Sequence, residues 1–457
     1  MNENNARGQT LRENKMLTSP ISRLIPEMAI PTIIAFLINS IYSLADTYFV
    51  SGLGTEATAA VSVNATLDQI IMMAGAMLAV GANSFVARLL GAREKEKADK
   101  VLSTAFFLAF GLGLLLTVFG TVFIGPMVDM LGATPTCRDY AIDYATYVLL
   151  AAPLMASSFV MNQCLRAEGS AMLSMVGMGF GGILNCVLDP IFINGMGMGV
   201  KGASVATAIS KLVSFVILIY PYMTKRSVLR LSVRCFYPKW NILSEIISVG
   251  MPSMLRSLLA VVTGILLNNI AGEISDSVMA GIGVATKIMM FPFSIILGFG
   301  SGFQPVAGFN WGAKRYDRVR ESHRYAGKMA FWGAAAMALI LALLAEPITA
   351  LFAKDDPELL RLGTLCIQLQ CFSLPVHAWV AVVNMLCAGL GYGGLAFLLA
   401  TSRQGSCFLP LLPLALVLGE MGVISIQAVA DVLSLVLAIP VYRIVLRRIT
   451  QAEQKLQ

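Results

Sequence analysis

Residues 81–93 read Gly-Ala-Asn-Ser-Phe-Val-Ala-Arg-Leu-Leu-Gly-Ala-Arg, and residues 302–314 read Gly-Phe-Gln-Pro-Val-Ala-Gly-Phe-Asn-Trp-Gly-Ala-Lys. Each stretch follows a long apolar run and closes on Gly-Ala and a basic residue, and the closing triplets lie 221 residues apart. The same offset links Pro31 to Pro252 and Pro126 to Pro347; 222 links Pro153 to Pro375 and Asn162 to Asn384; 223 links Gly199-Val200 to Gly422-Val423. The chain is an internal duplication. Two acids break the match: Asp46 lies opposite Leu267, and Asp189 lies opposite Leu412. An ionisable group inside an apolar segment is costly and is read as functional by default. Its retention in one copy assigns the ion chemistry to the first half.

At 57% hydrophobic and 13% charged, the 457 residues are far from a soluble globule, in which about a quarter would be charged. Twelve apolar runs recur, at about 27–50, 58–86, 99–123, 140–165, 171–193, 201–223, 244–271, 279–308, 326–346, 361–388, 393–417 and 422–445. Each is long enough to cross a hydrocarbon layer roughly 30 Å thick. Pro410, Pro413 and Gly419 interrupt the pattern near its end. The expected fold is an all-α membrane protein of twelve transmembrane helices in two six-helix bundles. An even number of crossings per copy makes the repeat parallel, about an axis along the membrane normal.

The net charge of +7 follows the loops rather than one domain, so nucleic acid is not an expected partner. With the N-terminus inside, 26 of the 33 Lys and Arg residues fall on the cytoplasmic side. The opposite loops hold only Arg138, Lys201, Lys354 and Arg361. This bias places both termini in the cytoplasm of a multi-pass protein of the cell membrane. The expected division is a tail over 1–23, loose or lying on the membrane surface, a bundle over 24–224, a basic linker over 225–243 and a second bundle over 244–450. No signal peptide is visible, because the first apolar run is too long for one. The eight Cys show no metal-ligand spacing and read as small apolar core residues.

The ordered set of motifs now carries a family resemblance. It comprises Pro31, Asn39, Asp46-Thr47, Gly81 to Arg88, Gly91-Ala92, Arg166-Ala167-Glu168-Gly169, Asn185 to Asp189-Pro190, Gly199 to Ala203, Gly250-Met251-Pro252 and Gln304 to Ala313. Together these resemble the multidrug and toxic compound extrusion (MATE) family of secondary transporters, over about residues 24 to 448. The resemblance implies a hydrogen-bonded polar cluster inside the first bundle, at the positions held here by Asp46, Asp189, Asn185, Thr207, Tyr144 and Asn162. It implies a proton as coupling ion, with Na⁺ possible at Asp46 and Asp189, and no other cofactor. The other branch of the family places carboxylates in its seventh and tenth helices; this chain has none at 252–269 or 364–388.

Each residue also has a plainer reading. Asp46 alone suits an interfacial acid, although Thr47-Tyr48-Phe49-Val50 continues apolar beyond it. Asn185 and Asp189 are four apart and share a helix face; such a polar set can simply glue helices together. Pro31 removes a backbone hydrogen bond and is the candidate helix bend. Arg256 and Lys287 read first as anchors reaching for the interface and alternatively as cavity-lining cations; Lys211 is a further charge within a run, and Asp68 and Asp431 are acids within runs, each a candidate to face the cavity. Met72, Met73, Met77, Met289 and Met290 suit an adaptable cavity wall, and the lone His377 reads as packed. Gly389-x-Gly391-x-x-Gly394 lacks a βαβ context and is rejected as a nucleotide fingerprint.

With no catalytic constellation placed, the chain reads as a carrier and not an enzyme. The expected activity is export of amphipathic or cationic small molecules by a monomer in the bilayer, in exchange for protons. The alternatives are a lipid-linked oligosaccharide flippase of the same superfamily and, from another class, a channel or receptor.

Overall fold

The computed structural model describes residues 14–353 and 356–455, and among them the chain is helical with no strand. The first bundle comprises α1 (Ile21–Ser51), α2 (Thr55–Gly91), α3 (Lys95–Val122), α4 (Arg138–Ala167), α5 (Ala171–Pro190) and α6 (Gly199–Met223). The second comprises α7 (Trp240–Ile274), α8 (Asp276–Gly312), α9 (Tyr316–Ala353), α10 (Pro357–Gly389), α11 (Gly393–Thr401) and α12 (Glu420–Gln454). Several helices outrun their apolar segments; α9, expected over 326–346, begins at Tyr316 and ends at Ala353. Hydropathy marks only what lies in hydrocarbon, whereas helical hydrogen bonding continues into the polar layer.

Eleven of these helices are long and apolar enough to span a membrane. The exception is α11. The expected span over 393–417 is broken: a π turn at Ser402–Ser406 and a 3₁₀ turn at Leu409–Leu411 precede a short helix at Leu412–Leu418. Pro410 and Pro413 lack the N–H that an unbroken helix would use, and Gly419, at φ 60°, turns the chain.

The repeat governs packing. In the first bundle α2, α3 and α6 surround α4, and α1 lies on α5; in the second α8, α9 and α12 surround α10, and α7 lies on α11. Peripheral α3 and α9 expose Val118 and Phe119, and Leu339 and Ile340, at equivalent places. These faces suit lipid, which supplies apolar surroundings and no hydrogen bonds.

Between the bundles, α1 packs on α8 and its counterpart α7 on α2. At the end of α2, a Cβ added to Gly91 would stand 2.0 Å from the Phe309 carbonyl oxygen. At the end of α8, one added to Gly312 would stand 1.9 Å from the Arg88 carbonyl oxygen. The two contacts are images of each other under the 221-residue offset. Gly81 against Ile246 and Gly250 against Met77 tighten the same face, with a would-be Cβ 2.0 and 1.8 Å from a backbone oxygen. Nearer mid-membrane, the Ser40 and Ser294 hydroxyls meet at 2.7 Å.

The turns leaving α2 and α8 are also copies. Arg93 (φ 62°) and Lys314 (φ 58°) adopt the left-handed backbone. Glu94 N donates to Leu89 O at 2.8 Å, and Arg315 N donates to Asn310 O at 2.9 Å. These bonds satisfy carbonyls that a helix end leaves open.

Residues 14–23, expected to be loose or to lie on the membrane, are instead packed: Met16 and Ile21 are buried. The Arg318 guanidinium donates to Ser19 O at 2.7 Å and Met16 O at 3.4 Å, and Asn310 supports it at 3.0 Å. Residues 1–13 of the expected tail lie outside the described residues. The linker is tied to the first bundle, with Glu168 accepting from Val228 N at 2.8 Å and Asp99 accepting from Arg230 N at 2.8 Å.

Overpacking a tight contact costs about 1–3 kcal/mol. Gly312→Ala is therefore expected to separate the bundles at this face while helix content stays unchanged. Spin labels at positions 93 and 314 would report the separation, and an unaltered distance distribution would show that the crossing tolerates a side chain.

Candidate functional site

Five helices converge on the acids of the first bundle. Asp46 of α1 is buried, at 7% exposure, which excludes an acid reaching for the interface. The Tyr144 hydroxyl, from the first turns of α4, donates to Asp46 Oδ2 at 3.4 Å. Asp189 is fully buried at the end of α5, where Pro190 precedes a π turn at Ile191–Gly195. One turn earlier, Asn185 links α5 to α6. With its amide oriented to satisfy both ends, its nitrogen donates to Asp189 Oδ2 at 2.8 Å and its oxygen accepts from the Thr207 hydroxyl at 3.2 Å. Asp189 interacts electrostatically with Asp46.

Two groups that the sequence reading left unranked belong to this cluster. Asp68 of α2 lies close enough to interact electrostatically with Asp46 and Lys211. Lys211, one turn beyond Thr207 on α6, places its ammonium over the Tyr42 ring at 5.1 Å. The four-residue spacing of Thr207 and Lys211 was one available signal; for Asp68 the sequence showed an acid within an apolar run but not which helix it faces. Three carboxylates and one ammonium thus share a desolvated region. Oδ1 of Asp46, of Asp68 and of Asp189 is buried without a hydrogen-bond partner. Buried acceptors are almost always paired, so these three carboxylate oxygens in one region leave acceptor capacity that a proton or a cation would fill.

Asn162 is held elsewhere. Its amide donates to Ser174 O on α5 at 2.9 Å. Its repeat counterpart Asn384 donates to Ala396 O on α11, also at 2.9 Å. Both ties span twelve residues and join the fourth helix of a bundle to the fifth. Pro31 lies within α1, which runs as one helix from Ile21 to Ser51.

Three cavities share parts of their walls. A small one of about 70 Å³ lies in the first bundle, lined by Tyr42, Asn162, Asn185 and Lys211 among others. The carboxylates stand just behind this wall. A larger one of about 490 Å³ lies between the bundles, with Met72, Met73 and Gln69 on one side and Arg256, Ser301 and Gln304 on the other. A third, about 320 Å³, lies within the second bundle. Asn39, Met72 and Phe159 line both the first and the central cavity; Arg256, Ser257, Leu297 and Met385 line both the central cavity and the third. Arg256 therefore faces the cavities and is no interfacial anchor, because α7 turns that face towards α2. Lys287 is exposed. Met289 is fully buried in the core of the second bundle, away from any cavity wall.

The second bundle carries its own charges, unannounced by the repeat. Asp431 Oδ1 accepts from Arg403 Nε at 2.6 Å and lies 3.2 Å from His377 Nδ1, and its Oδ2 accepts from Ser373 at 3.0 Å. His377 also packs edge-on to Phe293, with ring centroids 5.2 Å apart. All eight Cys are free, and six are buried. No group of His, Cys, Asp and Glu able to hold a metal ion occurs among the described residues.

Two parallel-repeated helical bundles, with cavities at membrane depth and a buried acid cluster beside them, define a membrane transporter. The model of the MatE family matches residues 31–191 and 252–414, once in each half. The chain belongs to this multidrug and toxic compound extrusion family. It is 27% identical over 397 residues to the multidrug export protein MepA of Staphylococcus aureus (strain MSSA476), covering 86% of this chain and 87% of that one. Similarity of the same degree extends over 396 residues to MepA of Staphylococcus haemolyticus (strain JCSC1435), covering 86% of this chain and 87% of the relative. Among solved structures, an outward-facing multidrug resistance MATE family transporter of the MOP superfamily superposes with a TM-score of 0.87. Its identity is 29%, over 96% of this chain and 98% of that one.

The paired asparagines yield a symmetric expectation. Interhelical hydrogen bonds in membranes contribute about 0.6 kcal/mol on average and up to about 1.7. Asn162→Ala and Asn384→Ala are therefore expected to lower the unfolding temperature in detergent by similar small amounts. A loss of transport in Asn162→Ala at unchanged unfolding temperature would instead assign that residue to the acid cluster.

Proposed function

We propose that this chain is a secondary exporter of small amphipathic compounds, organic cations among them, working by alternating access in the cytoplasmic membrane. In this reading both termini are cytoplasmic, the carrier acts as a monomer and it catalyses no reaction. The family membership and the MepA relatives, which are multidrug export proteins, support export as the activity. One observation carries the ion coupling: the three unpaired carboxylate oxygens of Asp46, Asp68 and Asp189, behind a cavity that shares wall residues with the one between the bundles.

The proposed cycle uses charge. With Asp46 and Asp189 ionised, the cluster offers negative potential to a cation in the adjoining cavity. Protonation from outside removes that potential and lets Asn185, Thr207 and Tyr144 re-pair. At an effective dielectric constant of 20, two charges 4 Å apart interact by about 4 kcal/mol. A swing from 1:99 to 99:1 between two conformations needs about 5.5 kcal/mol. Two carboxylates changing charge together supply that order of energy. Pro31 is the hinge in this proposal, since the Glu27 carbonyl one turn back receives no helical hydrogen bond from it. Na⁺ is the alternative coupling ion, because the same unpaired oxygens are hard ligands of the kind it takes.

Asp46→Asn and Asp189→Asn are each expected to abolish gradient-driven efflux from proteoliposomes while the protein still folds, since charge is lost with little change of shape. Leu267→Asn, which puts an amide into the core of the second bundle, is expected to impair folding instead. Full activity of the Asp46→Asn, Asp189→Asn double variant would remove the cluster from the mechanism. Imposing proton and Na⁺ gradients separately identifies the ion.

Protons and cationic substrates compete for one negative site, so substrate affinity is expected to fall as pH is lowered from 8 to 5, with protons released on binding. A flat profile without proton release would leave the acids structural.

A reporter of topology is available in the linker. In a background without other cysteines, Cys235 is expected to resist an impermeant thiol reagent applied to intact cells. Labelling from outside would reverse the orientation of the chain.

A further inference from the structure

The cavity of the second bundle has the opposite polarity to the acid cluster. Its charged lining consists of Arg256, Arg403 and Asp431, with His377, Asn384 and Gln404 as polar neighbours. Asp431 is already engaged, receiving Arg403 and Ser373 on its two oxygens. Among the described residues Arg256 has no hydrogen-bond or ion-pair partner, and its side chain lines both this cavity and the one between the bundles. An unpaired guanidinium at membrane depth is expensive, and a guanidinium presents a fork of donors matched to carboxylate, sulfonate or phosphate oxygens.

We infer that this cavity is a binding site for the anionic group of an amphipathic ligand, with Arg256 as the residue that recognises it. The site is reached from the space between the bundles, because Arg256 and Ser257 line both cavities. The Gln404 carbonyl oxygen is occupied by the Thr263 hydroxyl at 2.7 Å, which leaves the amide N–H groups to donate to a ligand oxygen. Phe293, Leu297, Val380, Met385 and Leu399 supply an apolar wall for the body of the ligand. At about 320 Å³ the cavity lies at the small end of ligand pockets, the size class of a substituted bicyclic aromatic rather than a lipid tail.

The local backbone is arranged for this purpose. The π turn at Ser402–Ser406 interrupts α11 and carries Arg403 and Gln404 into the cavity. Such turns inside helices concentrate at functional sites. The repeat position of Arg403 in the first bundle is Gly181, and that of His377 is Met155. The cationic lining is therefore an addition to the duplicated scaffold. A transported molecule would meet a negative region in one bundle and a positive one in the other, which favours zwitterions and anions besides cations. The inference rests on the export reading only for the fate of the ligand, not for its binding.

The test is calorimetric titration of the full chain, in nanodiscs of phosphatidylcholine without any gradient, with naphthalene-1-sulfonate and its neutral isostere naphthalene-1-sulfonamide. Hydrogen bonds to charged groups set the expected preference for the sulfonate at about tenfold or more. Arg256→Gln is expected to abolish that preference, and Arg256→Lys to restore part of it. Should Arg256→Gln fail to fold, Ser257→Asp places a counter-charge beside the guanidinium and is expected to have the same effect. Equal affinity for the two probes, or a preference that survives both Arg256→Gln and Ser257→Asp, would overturn the proposal. Displacement of the sulfonate by added phosphatidylglycerol would support the site with a lipid headgroup as its natural occupant. Displacement by inorganic phosphate alone would support it with a free anion.

Discussion

Everything in this molecule depends on two helix ends that touch backbone to backbone. Gly91 lies on the Phe309 carbonyl and Gly312 on the Arg88 carbonyl, at distances that leave no room for a Cβ. In hydrocarbon there is little hydrophobic drive to bring helices together, and close packing of small residues takes its place. The paired glycines therefore fix where the halves meet. With Gly81 on Ile246 and Gly250 on Met77, they close one face of the membrane layer and leave the cavities to occupy the depth beyond. The Gly91 and Gly312 contacts are images of each other under the repeat.

On that symmetric frame the chemistry is asymmetric. Both bundles keep the asparagine tie between their fourth and fifth helices, but their π turns fall at different repeat positions, one at the end of α5 and one after the first turns of the fifth element of the second bundle. In the first bundle the turn follows Asp189, which interacts with Asp46, itself coupled to Asp68 and Lys211. In the second it carries Arg403 onto Asp431. The duplicated scaffold therefore carries opposite charge in its two interiors, at positions that are not repeat images. The central cavity joins them, with Asn39 on one side and Arg256 on the other.

The sequence by itself determined the membrane location, the two-bundle repeat and the half that holds Asp46 and Asp189. These follow from rules that act locally: run length against bilayer thickness, a fixed offset between copies, and the cost of a carboxylate in an apolar segment. Asn185 and Asp189 were also legible as a pair, since helical spacing puts them on one face, and the family resemblance added Thr207 to them. Only the tertiary structure decided the rest. Asp68 joins Asp46, and Lys211 covers Tyr42, because α2 and α6 approach α1 across more than 20 residues of intervening chain, a distance no periodicity encodes. The break in α11 was signalled by Pro410 and Pro413, but its placement at Ser402–Ser406, and hence the inward turn of Arg403, was not. Arg256 read as an anchor because a sequence gives the depth of a cation and not the direction it faces. That direction is set by which helix packs opposite, and packing of α7 on α2 turns Arg256 towards the cavities.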